Sequence, residues 1–113
     1  MSAVAASRVR VCGVQDLVAG SGVAALVGGV QIAIFYLPQL DPPIYAISNF
    51  DPFSKANVLA RGLLGDVDGI PVVASPIYKQ HFELATGCCL DDESVTVGSY
   101  PVRITNSEVW LYD

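Results

Sequence analysis

The sequence predicts an all-β fold, a sandwich or small barrel, and three observations carry that prediction. β-Branched and aromatic residues fall in short runs; Gly, Pro, Asn and Asp interrupt those runs at frequent intervals; and no stretch repeats its apolar residues with the period of an amphipathic helix. At 113 residues the chain has the common length of one compact domain. A single domain over residues 8–113 is expected, preceded by a disordered terminus over residues 1–7.

Arg8 to Val14, RVRVCGV, alternates as a half-buried first strand does, and DLVAGSG then turns the chain, with a short helical turn at Gln15 to Leu17. The most apolar run, VAALVGGVQIAIFYL, is divided by Gly28-Gly29. A Gly-Gly pair between strand-like arms signals a hairpin, because glycine reaches the positive φ of a tight turn without steric cost. The division also removes the run as a membrane helix, which needs about 20 consecutive apolar residues. Pro38, Pro42 and Pro43 end the second arm, and IYAISNF begins the next strand. Residues 51–68 are mixed in polarity and broken by glycine, and they read as a loop-dominated excursion. IPVVASPIY and QHFELAT are two strands about a connection at Pro76 to Lys79, and Gly87 supplies a turn before CCL. YPVRITNSEVWLY closes the chain as a hairpin on Asn106-Ser107. No internal repeat stands out.

Apolar residues make up 52% of the chain and charged residues 15%, which is too apolar for a disordered segment. The net charge is −5 and the six Lys and Arg are scattered, whereas nucleic-acid binders cluster basic residues to release counterions. No nucleic-acid or membrane partner is expected, and Met1 to Arg10 lacks the apolar run of a signal peptide, so the protein is expected in the cytoplasm. Asp91-Asp92-Glu93 reads as a solvated acidic loop. Cys12, Cys88 and Cys89 form no even framework and read as reduced thiols.

The one histidine excludes any mechanism that needs two imidazoles. Alternation puts His81 and Glu83 on the face opposite Phe82 and Leu84, which suits a surface or partner-contacting histidine. A nucleophilic pair of His81 with Cys88 or Cys89 lacks an orienting third group. Asp66 and Asp68 lack the third oxygen ligand and closing glutamate of a calcium loop, and GSG at Gly20 to Gly22 is too short for a phosphate cradle. The chain offers no catalytic residues of its own.

Two stretches carry a more specific pattern. YAISNFDPFS resembles the first cluster-binding box of Rieske ferredoxins and oxygenases, N-x-C-P-H, with Asp51 at the cysteine position and Phe53 at the histidine position. SPIYKQHFELATG resembles the second box, C-P-x-H-x-x-x-F-x-x-x-T-G, with Ser75 for cysteine and Tyr78 for histidine. Pro52, Pro76, Phe82, Thr86 and Gly87 are in place while the four ligand positions are changed. SNFDPFSKANVLARGLLGD, VVASPIYKQHFELATGCCLDD and YPVRI together resemble the small subunits of assimilatory NAD(P)H-dependent nitrite reductases, a Rieske-like family many of whose members lack the ligands.

The resemblance implies a Rieske-type [2Fe–2S] ferredoxin-like β-sandwich without the cluster, with the two former cluster loops at one end. It implies no cofactor or metal in this chain and a large subunit that carries FAD, sirohaem and a [4Fe–4S] cluster, where NAD(P)H is oxidised and nitrite reduced to ammonia. Phe53 and Tyr78 are expected to pack between the loops, and Asp51 and Ser75 to bond the loops' backbone amides. These residues either fill a vacated site or build an interaction surface, for which Phe53, Tyr78, Lys79 and His81 are the partner-contact candidates. A freestanding binding module, or an accessory component of another oxidoreductase, remains an alternative; an electron carrier with its own cluster is disfavoured by the missing ligands.

Overall fold

A computed structural model describes residues 8–112; the terminus over residues 1–7, expected to be disordered, lies outside the described residues. Twelve strands run in chain order: β1 Arg8–Gly13, β2 Ser21–Val27, β3 Val30–Tyr36, β4 Ile44–Ser48, β5 Phe50–Asp51, β6 Ala56–Asn57, β7 Leu63–Val67, β8 Ile70–Ala74, β9 His81–Glu83, β10 Ser99–Tyr100, β11 Val102–Thr105 and β12 Glu108–Tyr112. The helical content among the described residues is two 3-10 turns, Val14–Asp16 and Leu59–Arg61. No helix among the described residues is long and apolar enough to cross a membrane.

The strands form an antiparallel sheet β10-β4-β3-β2, flanked by β1-β12-β11 and by β7-β8-β9, with β5-β6 as a small extra ribbon. The four-stranded sheet is the middle layer of three. Ile32, Ile34, Ile44 and Ala46 pack with Val109 and Leu111 in one core. Ala33, Phe35 and Ile47 pack with Val73, Phe82 and Leu84 in the other. β3 therefore alternates between two cores and not between core and solvent, which is why its sequence is a continuous apolar run. Fully burying a side chain such as Ile34 or Phe35 contributes about 1.5–3 kcal/mol.

Both expected hairpins are present. Gly28 and Gly29 have φ of 57° and 82° and join β2 to β3, and Asn106 and Ser107 have φ of 52° and 62° and join β11 to β12. Residues 51–68 depart from the loop expectation: they hold β5, β6, a 3-10 turn and the whole of β7. β7 pairs with β8 across Asp68-Gly69, at φ 51° and 86°, a dipeptide that favours two-residue hairpins. The strand hides in the sequence because it is an edge. Leu63 is 76% exposed and Gly65 to Val67 are also exposed, so no apolar alternation marks it.

Two glycines hold the layers close. A Cβ on Gly87, itself at φ 80°, would lie 2.1 Å from the Val97 carbonyl oxygen, and one on Gly62 would lie 2.2 Å from that of Ala74. Gly87 lets the segment after β9 press against Val95–Val97, where Cys89 N–H donates to Val95 O and Val97 N–H to Gly87 O. Cys89 is thereby buried in the core and its neighbour Cys88 is exposed, as adjacent side chains on extended backbone must be.

Candidate functional site

β4 runs through Asn49 into a loop at residues 51–55, and β8 runs directly into a second loop at residues 75–79. The two loops share one design. In the first, Asp51 O accepts from Lys55 N–H at 2.7 Å and Asp51 Oδ1 accepts from Phe53 N–H at 2.9 Å. In the second, Ser75 O accepts from Lys79 N–H at 3.1 Å and Ser75 Oγ accepts from Ile77 N–H at 3.3 Å. Each loop has proline at its second position, and each ends on a lysine at positive φ, 58° for Lys55 and 66° for Lys79.

The loops meet at their first residues. Asp51 is 0% and Ser75 1% exposed, and the Ser75 hydroxyl donates to Asp51 Oδ2 at 2.5 Å. Ser54 Oγ donates to the same oxygen at 3.0 Å. Burial opposes the charge on Asp51, yet hydrogen bonds from the Ser75 hydroxyl, the Phe53 amide and the Ser54 hydroxyl and amide outweigh it. The carboxyl is held below its ordinary range. The positions that would carry two cysteines thus tie the loops together by a charge-assisted hydrogen bond.

A Rieske centre takes two thiolates on one iron and two imidazoles on the other. The donor set here does not fit it. Asp51 and Ser75 offer hard oxygens already bonded to each other, Phe53 has no lone pair, and phenolic Tyr78 is a poor substitute for imidazole. Among the described residues no group of three or more His, Cys, Asp and Glu could hold a metal ion.

The two aromatic positions differ. Phe53 is half-buried and its ring lies 6.2 Å from that of Phe82, tilted by 53°, so it closes the loop onto the core. Tyr78 is 60% exposed and does not pack between the loops, because its loop directs the three residues after Ser75 outward. Phe53→Ala is expected to destabilise the fold by about 1–2 kcal/mol, less than the 3–5 of a fully buried phenylalanine. Tyr78→Ala should stay within about 0.5 kcal/mol. Urea unfolding of both variants checks the contrast.

His81 lies at the start of β9, half-exposed, with Glu83 on the same face and Phe82 and Leu84 buried on the other. Its amide donates to Asp91 Oδ2 at 2.6 Å and its Nδ1 lies 3.2 Å from the same oxygen. The amide bond, opposed by slight burial and helped by the ring, lowers the Asp91 carboxyl. The ring is committed to Asp91, while Cys88 Sγ is met by Thr96 Oγ1 at 4.0 Å, so no Cys-His pair is assembled. Lys79 is exposed at the end of the second loop.

Two features escape a reading of the sequence alone. Asn49 is buried beneath the first loop, where it donates to Gln31 Oε1 at 3.0 Å and accepts from Ala60 N–H at 2.7 Å. Its place as the N of the first box is the signal that points to it. The second is the internal repeat: DPFSK at residues 51–55 and SPIYK at residues 75–79 share the pattern x-P-x-x-K at a spacing of 24 residues. Five residues are too short a pattern to stand out as a repeat in the sequence, and its meaning lies in the shared hydrogen bonds.

Residues 7–112 match the Rieske-like [2Fe-2S] domain family. The nitrite reductase (NADH) small subunit of Salmonella typhimurium strain LT2 is 45% identical over 102 residues, covering 90% of this chain and 94% of that protein. The solution structure of the E. coli protein NirD superposes with a TM-score of 0.86 at 38% identity, covering 96% of this chain and 98% of the other. A 101-residue stretch of the nitrite reductase [NAD(P)H] large subunit of Klebsiella oxytoca is 40% identical; it covers 89% of this chain but only 10% of that much longer polypeptide.

Proposed function

The chain belongs to the Rieske-like [2Fe-2S] domain family, among the nitrite reductase small subunits, and from this we propose that it is the non-catalytic small subunit of a cytoplasmic nitrite reductase [NAD(P)H]. Its partner is the large subunit, which carries FAD, sirohaem and a [4Fe–4S] cluster and reduces nitrite to ammonia in nitrate assimilation. The small subunit holds no cluster; its loops are joined by Asp51 and Ser75.

The observation that carries this reading is the Klebsiella oxytoca large subunit, which contains within its own chain a stretch 40% identical to 89% of this one. A tether holds two domains at millimolar effective concentration and asks little of their contact surface. Where the same domain is a separate chain, the contact itself must supply the affinity. The tethered arrangement also supports a ratio of one small to one large subunit.

Co-expression with the large subunit of the same organism, followed by size-exclusion chromatography with light scattering, is expected to give a one-to-one complex bearing flavin and sirohaem absorption. The small subunit purified alone is expected to show no visible absorption, even after incubation with iron and sulfide. Chains that elute apart at micromolar concentration overturn the subunit assignment, and a [2Fe–2S] spectrum in the isolated chain overturns the cluster-free one.

A further inference from the structure

We infer that the tips of the two loops are the face that docks on the large subunit, with Lys55 and Lys79 seated against carboxylates around an apolar patch of that partner. The inference rests on the subunit assignment above.

Three observations lead there. First, the chain has a net charge of −5 and only two lysines, and both stand at the same place in the two matching loops. Each lysine amide is one hydrogen bond from Asp51 or Ser75, the two residues that link the loops, so both lysine backbones stand at the same end of a molecule of net negative charge. Second, both lysines have positive φ. The other non-glycine residues with positive φ among the described residues, Asp68, Asn106 and Ser107, sit in two-residue hairpin turns where short polar side chains are at home. Lysine gains nothing locally from that conformation, and backbone strain kept at two matched positions marks a side chain used elsewhere. Third, neither lysine forms an ion pair among the described residues, whereas the neighbouring Asp91 is bonded to His81 and Asp92 to Ser94. Immediately before Lys79 the second loop exposes Ile77, 46%, and Tyr78, 60%, an anchor of the kind that partners bury.

An apolar centre with two unengaged cations on an acidic body selects an apolar face ringed by acidic groups. It selects against two copies of this chain paired tip to tip, which would bring lysine against lysine.

The test titrates the purified large subunit with the wild-type chain and with K55G/K79G, Y78A and R103E, at low and high salt, with a melting curve for each variant. K55G/K79G is expected to bind about tenfold or more weakly, with a flatter salt dependence. Its melting temperature should equal or exceed that of the wild type, since glycine takes the positive φ freely; a merely structural role would lower it. Y78A should weaken binding without changing the melt, and R103E, on the outer strand β11, should bind as the wild type does. Wild-type binding with K55G/K79G and Y78A unchanged overturns the docking face and leaves the subunit assignment standing. No wild-type binding overturns the assignment and the docking face with it. A dimer of the isolated chain that Y78A abolishes overturns the inference in favour of self-association.

Discussion

Asp51→Ala is expected to destabilise the protein by about 2–4 kcal/mol and to lower its melting temperature by about 8–16 °C. The substitution strips the acceptor from the Ser75 hydroxyl, the Ser54 hydroxyl and the Phe53 amide, and Ser75 has no access to water to replace it. Ser75→Ala removes one donor from a carboxylate that keeps the others, so it should cost only about 1–2 kcal/mol. In a double-mutant cycle the two residues should couple by about 1 kcal/mol or more, and additive effects would show that the loops are not joined by this bond.

The same carboxylate sets part of the acid stability. Its folded value lies below the ordinary 3.8, so the contribution to stability is complete above that ordinary value and is lost as pH falls through the folded one. The exposed Asp91 and Asp92 are lowered as well and add to the same limb. Comparison with Asp51→Asn isolates the buried group: the stability gap between wild type and variant should be widest near neutrality and should close below the folded value of Asp51. A gap that stays constant into acid would contradict an ionised Asp51.

Phe82→Ala is expected to cost about 3–5 kcal/mol, the range for a fully buried phenylalanine that leaves a cavity. Phe82 is 0% exposed, pairs with Val73 across β8 and β9, bridges to Cys89, and carries Phe53 on its ring. The cavity would undercut both loops, so amide exchange of residues 51–55 and 75–79 should accelerate more than that of β11 and β12. Phe82→Leu, which keeps most of the volume, should recover more than half of the loss. A Phe82→Ala variant within 1.5 kcal/mol of wild type in urea, roughly half the low end of that range, would show that the site collapses without Phe82.

What the sequence revealed and what it hid divide along the range of the interactions. The hairpins at Gly28-Gly29 and Asn106-Ser107 were legible because turn chemistry is local. β7 was not: its exposed leucine and glycine gave no alternation, although Asp68-Gly69 was a hairpin signal within the stretch read as loop. The two boxes were legible as loops with changed ligand positions, since each is contiguous. The bond that gives those changes their sense joins residues 24 apart, and no spacing rule predicts which acceptor a buried serine finds. The apolar run of β3 was plain, but that its two faces belong to different cores required the outer layers to be in place.

That shared middle sheet makes the chain hard to trim. Neither outer layer has a core of its own, since each completes one wall of β3 and β4. Cutting away the β11–β12 hairpin would leave Ile32, Ile34 and Ile44 facing water, and cutting away β7 to β9 would do the same to Ala33, Phe35 and Ile47. The three layers therefore stand or fall together as one cooperative unit.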